Sequence, residues 1–289
     1  IWLLHTVYQE REVTFERLCE IWKHHFLYNG QPLSLRAFHH HRKLIEENFH
    51  IVIACNRKDY TYYIQNLDEI LSDSCRNWLF NSRIIDVALK SSPCLFHRIV
   101  LPDMSRGIEY LPDISECIIE GHELYIFYTN DKGNEVECRF QPEGLKLFHN
   151  LWYLLGYRNG SEFCAVPLDA LKNIYLSGNS FQTDYRFSLA ERISDSIGIV
   201  VPDGQQPETV SLKAYGHFAD YLRKYPFHHS QVERNDMGTF TSFDYRLLVT
   251  DELVDEILAL GDKVEITYPE KLRMKLLQKI GRIRSRYAM

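Results

Sequence analysis

Six short β-patterned runs crowd into residues 124–176, and they constrain the fold more than any other feature of the chain. They span 124–128, 136–141, 145–148, 151–157, 162–166 and 173–176. Strands this short are not stable singly and must share a sheet. Asp131-Lys132-Gly133-Asn134 and Arg158-Asn159-Gly160-Ser161 supply residues that tolerate positive φ, so both predict tight hairpins. Close-spaced strands joined this way predict a small barrel. Pro112 opens a short helix just ahead of it.

Upstream the apolar period changes to that of helices. Residues 1–10 read as the end of a helix, the first of three, with Trp2, Leu3, Leu4 and Val7 inward. Thr14 caps a second, 15–26, whose Phe15, Leu18, Cys19, Trp22 and Phe26 recur at helical spacing. Asn29-Gly30-Gln31-Pro32 breaks the chain, and Ser34 caps a third helix over about 35–48. Two β-rich runs, 51–55 and 60–64, follow, with Arg57-Lys58-Asp59 at their tip. Three helices and a basic-tipped hairpin outline a winged helix-turn-helix. Residues 67–90 predict one linking helix, ended by Ser91-Ser92-Pro93.

The last hundred residues alternate differently. A strand at 209–213 leads to a helix at 214–224, then to strands at 231–235 and 239–249. Thr250 caps a helix that stops at Gly261, a strand covers 264–268, and Pro269 opens a final helix to about 286. This βαββαβ order is a ferredoxin-like pattern. Leu272, Leu276, Leu277, Ile280 and Ile283 form its last helix's expected inner stripe.

Composition narrows the function classes. Hydrophobic residues make up 45% and charged residues 25%, enough for true cores. No apolar run approaches the ~18 residues of a bilayer span. The seven cysteines are scattered, without a C-x-x-C pair, which favours a reducing compartment and a cytoplasmic protein. Net charge is −6, and residues 1–65 carry eight basic and seven acidic side chains, so nucleic-acid binding has to come from a local patch. No P-loop, G-x-G-x-x-G, G-x-S-x-G or H-E-x-x-H motif occurs, so neither an enzyme nor a cofactor is expected. His39-His40-His41 and His228-His229 lack the i, i+4 spacing of a helical metal site, and no metal is expected.

The third helix supplies the patch. Leu35, Phe38, Ile45 and Phe49 fit an inward stripe, while Arg36, His39, His40, Lys43 and Glu47 share the opposite face. Donors on an exposed helix face suit base edges and phosphates in a major groove. Arg57 and Lys58 at the hairpin tip suit the DNA backbone or minor groove.

The segment Leu151-Trp152-Tyr153-Leu154-Leu155-Gly156-Tyr157, with Arg139-Phe140-Gln141-Pro142-Glu143-Gly144-Leu145 before it and Leu168-Asp169 after it, resembles the WYL-domain family of transcriptional regulators. Residues 225–231 are similar to the family's C-terminal WCX extension, and residues 38–46 to the recognition-helix region of one branch. The resemblance implies an α+β protein with four parts. These are a winged helix-turn-helix (1–66), a helical linker (67–111), an SH3/Sm-like WYL barrel (112–180) and a ferredoxin-like WCX domain (186–289). It also implies a homodimer on a double-stranded DNA operator, and a barrel that senses a nucleic-acid or nucleotide effector. Trp152, Tyr153, Arg139, Lys146 and Arg158 are the expected ligand residues, with Lys172 a further basic candidate. The chain departs from the family at Ala170, where an arginine is common, and at Cys164-Ala165, which removes forked phosphate donors. The alternative is a single-stranded nucleic-acid or nucleotide sensor without a transcriptional role.

Overall fold

The computed structural model describes residues 2–25, 28–90, 98–100, 106–182, 189–202 and 204–287. The chain forms two compact units, Ile1–Leu101 and Pro102–Met289, both of mixed α+β structure with antiparallel sheets.

The first unit runs α1 (Trp2–Glu10), β1 (Val13–Thr14), α2 (Phe15–Lys23), α3 (Leu35–Phe49), β2 (Ile53–Asn56), β3 (Thr61–Ile64), α4 (Leu67–Ser72) and α5 (Ser74–Lys90). Thr14 accepts the Arg17 amide at 3.2 Å and Ser34 the Ala37 amide at 3.1 Å, so both predicted caps start their helices. The three strands pair in the order β1-β3-β2. Phe38 is fully buried between the rings of Phe15, 5.5 Å away, and Tyr62, 4.6 Å away. That packing fixes α3 on the sheet.

Three expectations change here. The predicted linking helix is two helices, because Asp73 is extended at the end of α4 and its carboxylate then accepts the Arg76 amide at 2.8 Å. One side chain thereby ends one helix and caps the next. Leu35 is 50% exposed, since the first turn of α3 lies outside the face that Phe38 and Ile45 bury. Strand β1 was not anticipated; two residues give no readable period. Phe26 and the predicted break at residues 91–93 lie outside the described residues.

The second unit opens with α6 (Leu111–Glu120), which carries Pro112 in its first turn. Strands β4 (His122–Thr129), β5 (Glu135–Phe148), β6 (Leu151–Arg158), β7 (Glu162–Pro167) and β8 (Leu171–Ser180) follow, in the order β7-β6-β5-β4-β8. The six predicted runs are therefore five strands. Pro142-Glu143-Gly144, which separates two of those runs, is a bulge inside one long strand, whose first half pairs with β4 and whose second half pairs with β6. Ile114, Leu124, Ile126, Phe140, Leu154 and Leu168 form the core beneath this sheet.

A short helix α7 (Leu189–Ile193) precedes β9 (Glu208–Tyr215), α8 (Phe218–Lys224), β10 (Val232–Asp236), β11 (Phe240–Leu247), α9 (Asp251–Ala259), β12 (Val264–Tyr268) and α10 (Glu270–Tyr287). These strands lie in the order β10-β11-β9-β12. The helix expected from residue 214 starts at Phe218, because Ala214 is buried as a strand residue of β9. On α10, Leu272 is buried and Leu276 packs on the core, but Leu277, Ile280 and Ile283 are exposed. The helix is held by pairs of Lys275 with Asp251 at 2.8 Å and of Lys279 with Asp255 on α9.

Gly156 on β6 is a point of no slack. An added Cβ would lie 2.1 Å from the Gln141 carbonyl oxygen. Gly156→Ala should therefore cost about 1–3 kcal/mol, read from urea unfolding. Gly144→Ala, whose Cβ would meet only the Leu189 side chain, should cost less.

Candidate nucleic-acid interface and barrel site

The interface begins with the orientation of α3. With Phe38 and Ile45 buried, Arg36, His39, His40, Lys43 and Glu47 are all exposed. Lys43 reaches Glu47 at 3.4 Å, a solvated pair that costs little to exchange for a phosphate. Arg42 lies at the edge of this face, its guanidinium 6.0 Å from the Tyr62 ring centroid. The tip between β2 and β3 is ordered by short polar side chains. Asn56 accepts the Lys58 amide at 3.2 Å and Asp59 the Thr61 hydroxyl at 2.9 Å. Arg57 and Lys58 project from this turn, exposed. Tyr60 beside them is 71% exposed with φ +56°, an aromatic at the tip that the sequence reading missed. Its place at the end of a β-rich run made it look like an ordinary strand residue.

The five expected ligand residues do not converge. Opposed residues in antiparallel strands share a face. Trp152 packs toward the core beneath the five-stranded sheet, on the side of Leu154. Tyr153 lies on the other face, opposite Lys146 and Pro167. Arg158 is on the Trp152 side, where it donates to Glu162 at 3.0 Å and to the Tyr128 hydroxyl at 3.3 Å. Those bonds, Glu162's first, raise its pKa further and occupy its donors. Burial pushes the neighbouring Cys138 thiol up to about 11, so it is not a nucleophile at neutral pH.

The Tyr153 face is covered by residues 189–200. Leu189 sits over Gly144, and Arg192 lies 3.7 Å from the Phe163 ring centroid and donates to the Tyr157 hydroxyl at 2.5 Å. Further on, the Lys146 ammonium donates to the Gly198 carbonyl, while the Glu252 carboxylate accepts the amides of Ile199 and Val200 at 3.1 and 2.9 Å. Burial lowers the Lys146 pKa against the opposing pull of Glu252. His228 completes the strap, bonded to the Ser194 carbonyl at 2.6 Å and the Ser230 hydroxyl at 2.7 Å.

Arg139 stands apart, exposed on the outer sheet face. Register places it opposite Tyr125 on β4, which in turn lies opposite Tyr175 on β8. Tyr125 is 36% and Tyr175 54% exposed, and Phe127 braces the Tyr175 ring edge-on at 5.8 Å. At the end of this face Glu123 is buried. Burial alone would raise its pKa, but hydrogen bonds from Asn179, Ser177 and Gln141 outweigh that and hold it low. Lys172 is paired with Glu135. The two tyrosines escaped the sequence reading because β4 is apolar or aromatic on both faces, so its period does not reveal an outer side.

A family model described as the WYL domain matches residues 109–196. The matched stretch takes in α6 and the bulged five-stranded sheet of the second unit and is similar to a WYL domain. The match reaches past β8 to Ser196, and so takes in the first part of the strap. Solved structures similar to the chain include proteasome accessory factor B/C (PafBC) of Arthrobacter aurescens, at 18% identity and a TM-score of 0.26 over 62% of this chain. Another is a CRISPR Cas-related protein, at 12% identity and a TM-score of 0.39 over 63% of this chain. The matches span 26% and 54% of those two chains. No curated protein matches. Among the described residues no helix is long and apolar enough to cross a membrane, and no three His, Cys, Asp or Glu side chains could hold a metal ion.

The strap makes a pH prediction. Burial first, then His229, lowers the His228 pKa below 6.5, so the folded chain holds this ring neutral where the unfolded chain takes up a proton. The stabilisation is present above 6.5 and is lost as pH falls through the folded value. The urea midpoint of the second unit should fall on acidification from neutral pH, and His228→Gln should flatten that slope.

Proposed function

We propose that the chain is a DNA-binding transcriptional regulator that works as a homodimer in the cytoplasm, without enzymatic activity. The first unit is read as a winged helix-turn-helix over residues 1–66, with residues 67–111 as linker. Arg36, His39, His40 and Lys43 enter the major groove, and Arg57 and Lys58 contact the backbone from the wing. The carrying observation is α3 itself, a helix pinned to its sheet by Phe38 with an exposed row of donors. Residues 112–180 are read as an SH3/Sm-like barrel, for which the strand order β7-β6-β5-β4-β8 is support. Residues 186–289 are read as a ferredoxin-like WCX domain, supported by the order β10-β11-β9-β12. An effector bound to the second unit shifts operator affinity by favouring one of two dimer states.

The test is footprinting on the DNA upstream of the protein's own coding sequence, with wild type and the Arg36→Ala/Lys43→Ala double variant. Wild type should protect a defined site, and the variant should lose it with a shallower salt dependence, by about one ion per phosphate contact removed. Protection unchanged by the double substitution would place the DNA contact elsewhere.

A second reading has its own observation. The row Arg139–Tyr125–Tyr175 offers a cation and two exposed rings to a single strand or nucleotide, and so favours a sensor without a transcriptional role. In that case oligonucleotide affinity should drop by about 1–3 kcal/mol in Tyr175→Ala, measured by fluorescence anisotropy. Wild-type binding that ignores this substitution would remove the reading.

A further inference from the structure

The first unit contains a cavity of about 380 Å³ that the proposed DNA contact does not use. Its walls come from Leu4 on α1, Phe49 in the last turn of α3, Ile70 on α4, and Leu79 and Phe80 on α5. Leu4, Ile70 and Phe80 are buried, and Phe80 is held edge-on by the Tyr8 ring at 5.1 Å. Leu79 is 56% exposed and stands at the mouth. The part of the wall made by these side chains favours an apolar body over a charged one.

Part of the wall is polar. Asn48, His50 and Arg76 also line the cavity, and among the described residues no aspartate or glutamate does. The Arg76 amide is engaged by Asp73, but among the described residues its guanidinium has neither an ion pair nor a hydrogen bond. A free planar fork at the edge of an apolar hole matches a carboxylate attached to an apolar body. The volume lies near the lower end of the range of about 300–1,000 Å³ usual for small-molecule sites, so the ligand is small.

We propose that this cavity is a binding site for a small amphiphilic carboxylate, with its apolar tail between Ile70 and Phe80 and its head group on Arg76. The site does not depend on the DNA-binding reading, since it belongs to the packing of α1, α4 and α5. It does touch Phe49 in the last turn of α3, so an occupant would brace the helix that presents Arg36 and Lys43.

The test uses the full chain and two probes of equal tail length, octanoate and 1-octanol. Calorimetric titration should give one octanoate per chain, with 1-octanol at least about tenfold weaker for want of the charge-assisted bond. Arg76→Glu, at an exposed position, should weaken octanoate by at least about tenfold. Leu79→Trp, which fills the mouth without touching the anchor, should weaken both probes. No octanoate binding to wild type, equal binding of the alcohol, or binding indifferent to both substitutions would each overturn the proposal. No DNA is present in the experiment, so a failure of the regulator reading would show in the footprint alone.

Discussion

The contact of Phe38 with Tyr62 and Phe15 decides which way α3 faces, and most of the first unit follows from it. A ring fully buried between a strand and a neighbouring helix allows one rotation of the helix about its axis. Rotated by a single residue, about 100° on a helix, the face that shows Arg36, His39, His40 and Lys43 would turn toward the sheet. The donors are ordinary surface residues; their common direction comes from apolar packing on the other side. The cavity beside Phe49 and Phe80 lies within the same core, so a molecule bound there would act on the helix through packing.

The second unit is organised by a different constraint. Residues 194–200 run between the five-stranded sheet and the last sheet, and each side contributes a charged anchor, Lys146 from β5 and Glu252 from α9. Gly198 is fitted to this place, since a Cβ there would sit 2.1 Å from a Glu252 oxygen. Lys146 is thus engaged in holding the strap, and the outer face of β6 beneath it is closed. Further along that same outer face, the part the strap leaves uncovered carries Arg139, Tyr125 and Tyr175. An effector that prised the strap loose would change how the two sheets of the second unit hold each other, which is the kind of movement the regulator reading needs.

Much of this was legible in the residues. Caps at Thr14, Ser34 and Thr250, glycine at 261 and proline at 112 and 269 mark helix ends by local chemistry, and local chemistry survives folding. The WYL match over residues 109–196 includes the segment around Trp152-Tyr153-Leu154 that carried the resemblance. What escaped was decided at a distance. Pro142-Gly144 reads as a gap between two runs until β4 and β6 are seen to bind the two halves of one strand. Asp73 interrupts a regular helical period because its side chain is a better cap than spacer. Trp152 and Tyr153 are neighbours in sequence, and strand alternation alone sends them to opposite faces; which one met the core depended on Leu154. Lys146 looked like a ligand residue because its partner, Gly198, lies 52 residues away.

Site-specific photo-crosslinking tests the central claim most directly. A benzophenone side chain at position 40, on the outer face of α3, is compared with one at position 72, at the end of α4, in the presence of the protected duplex. The account predicts crosslinks to DNA from position 40 and none from position 72. Crosslinks from position 72 alone, or from neither position while the duplex is bound, would contradict it.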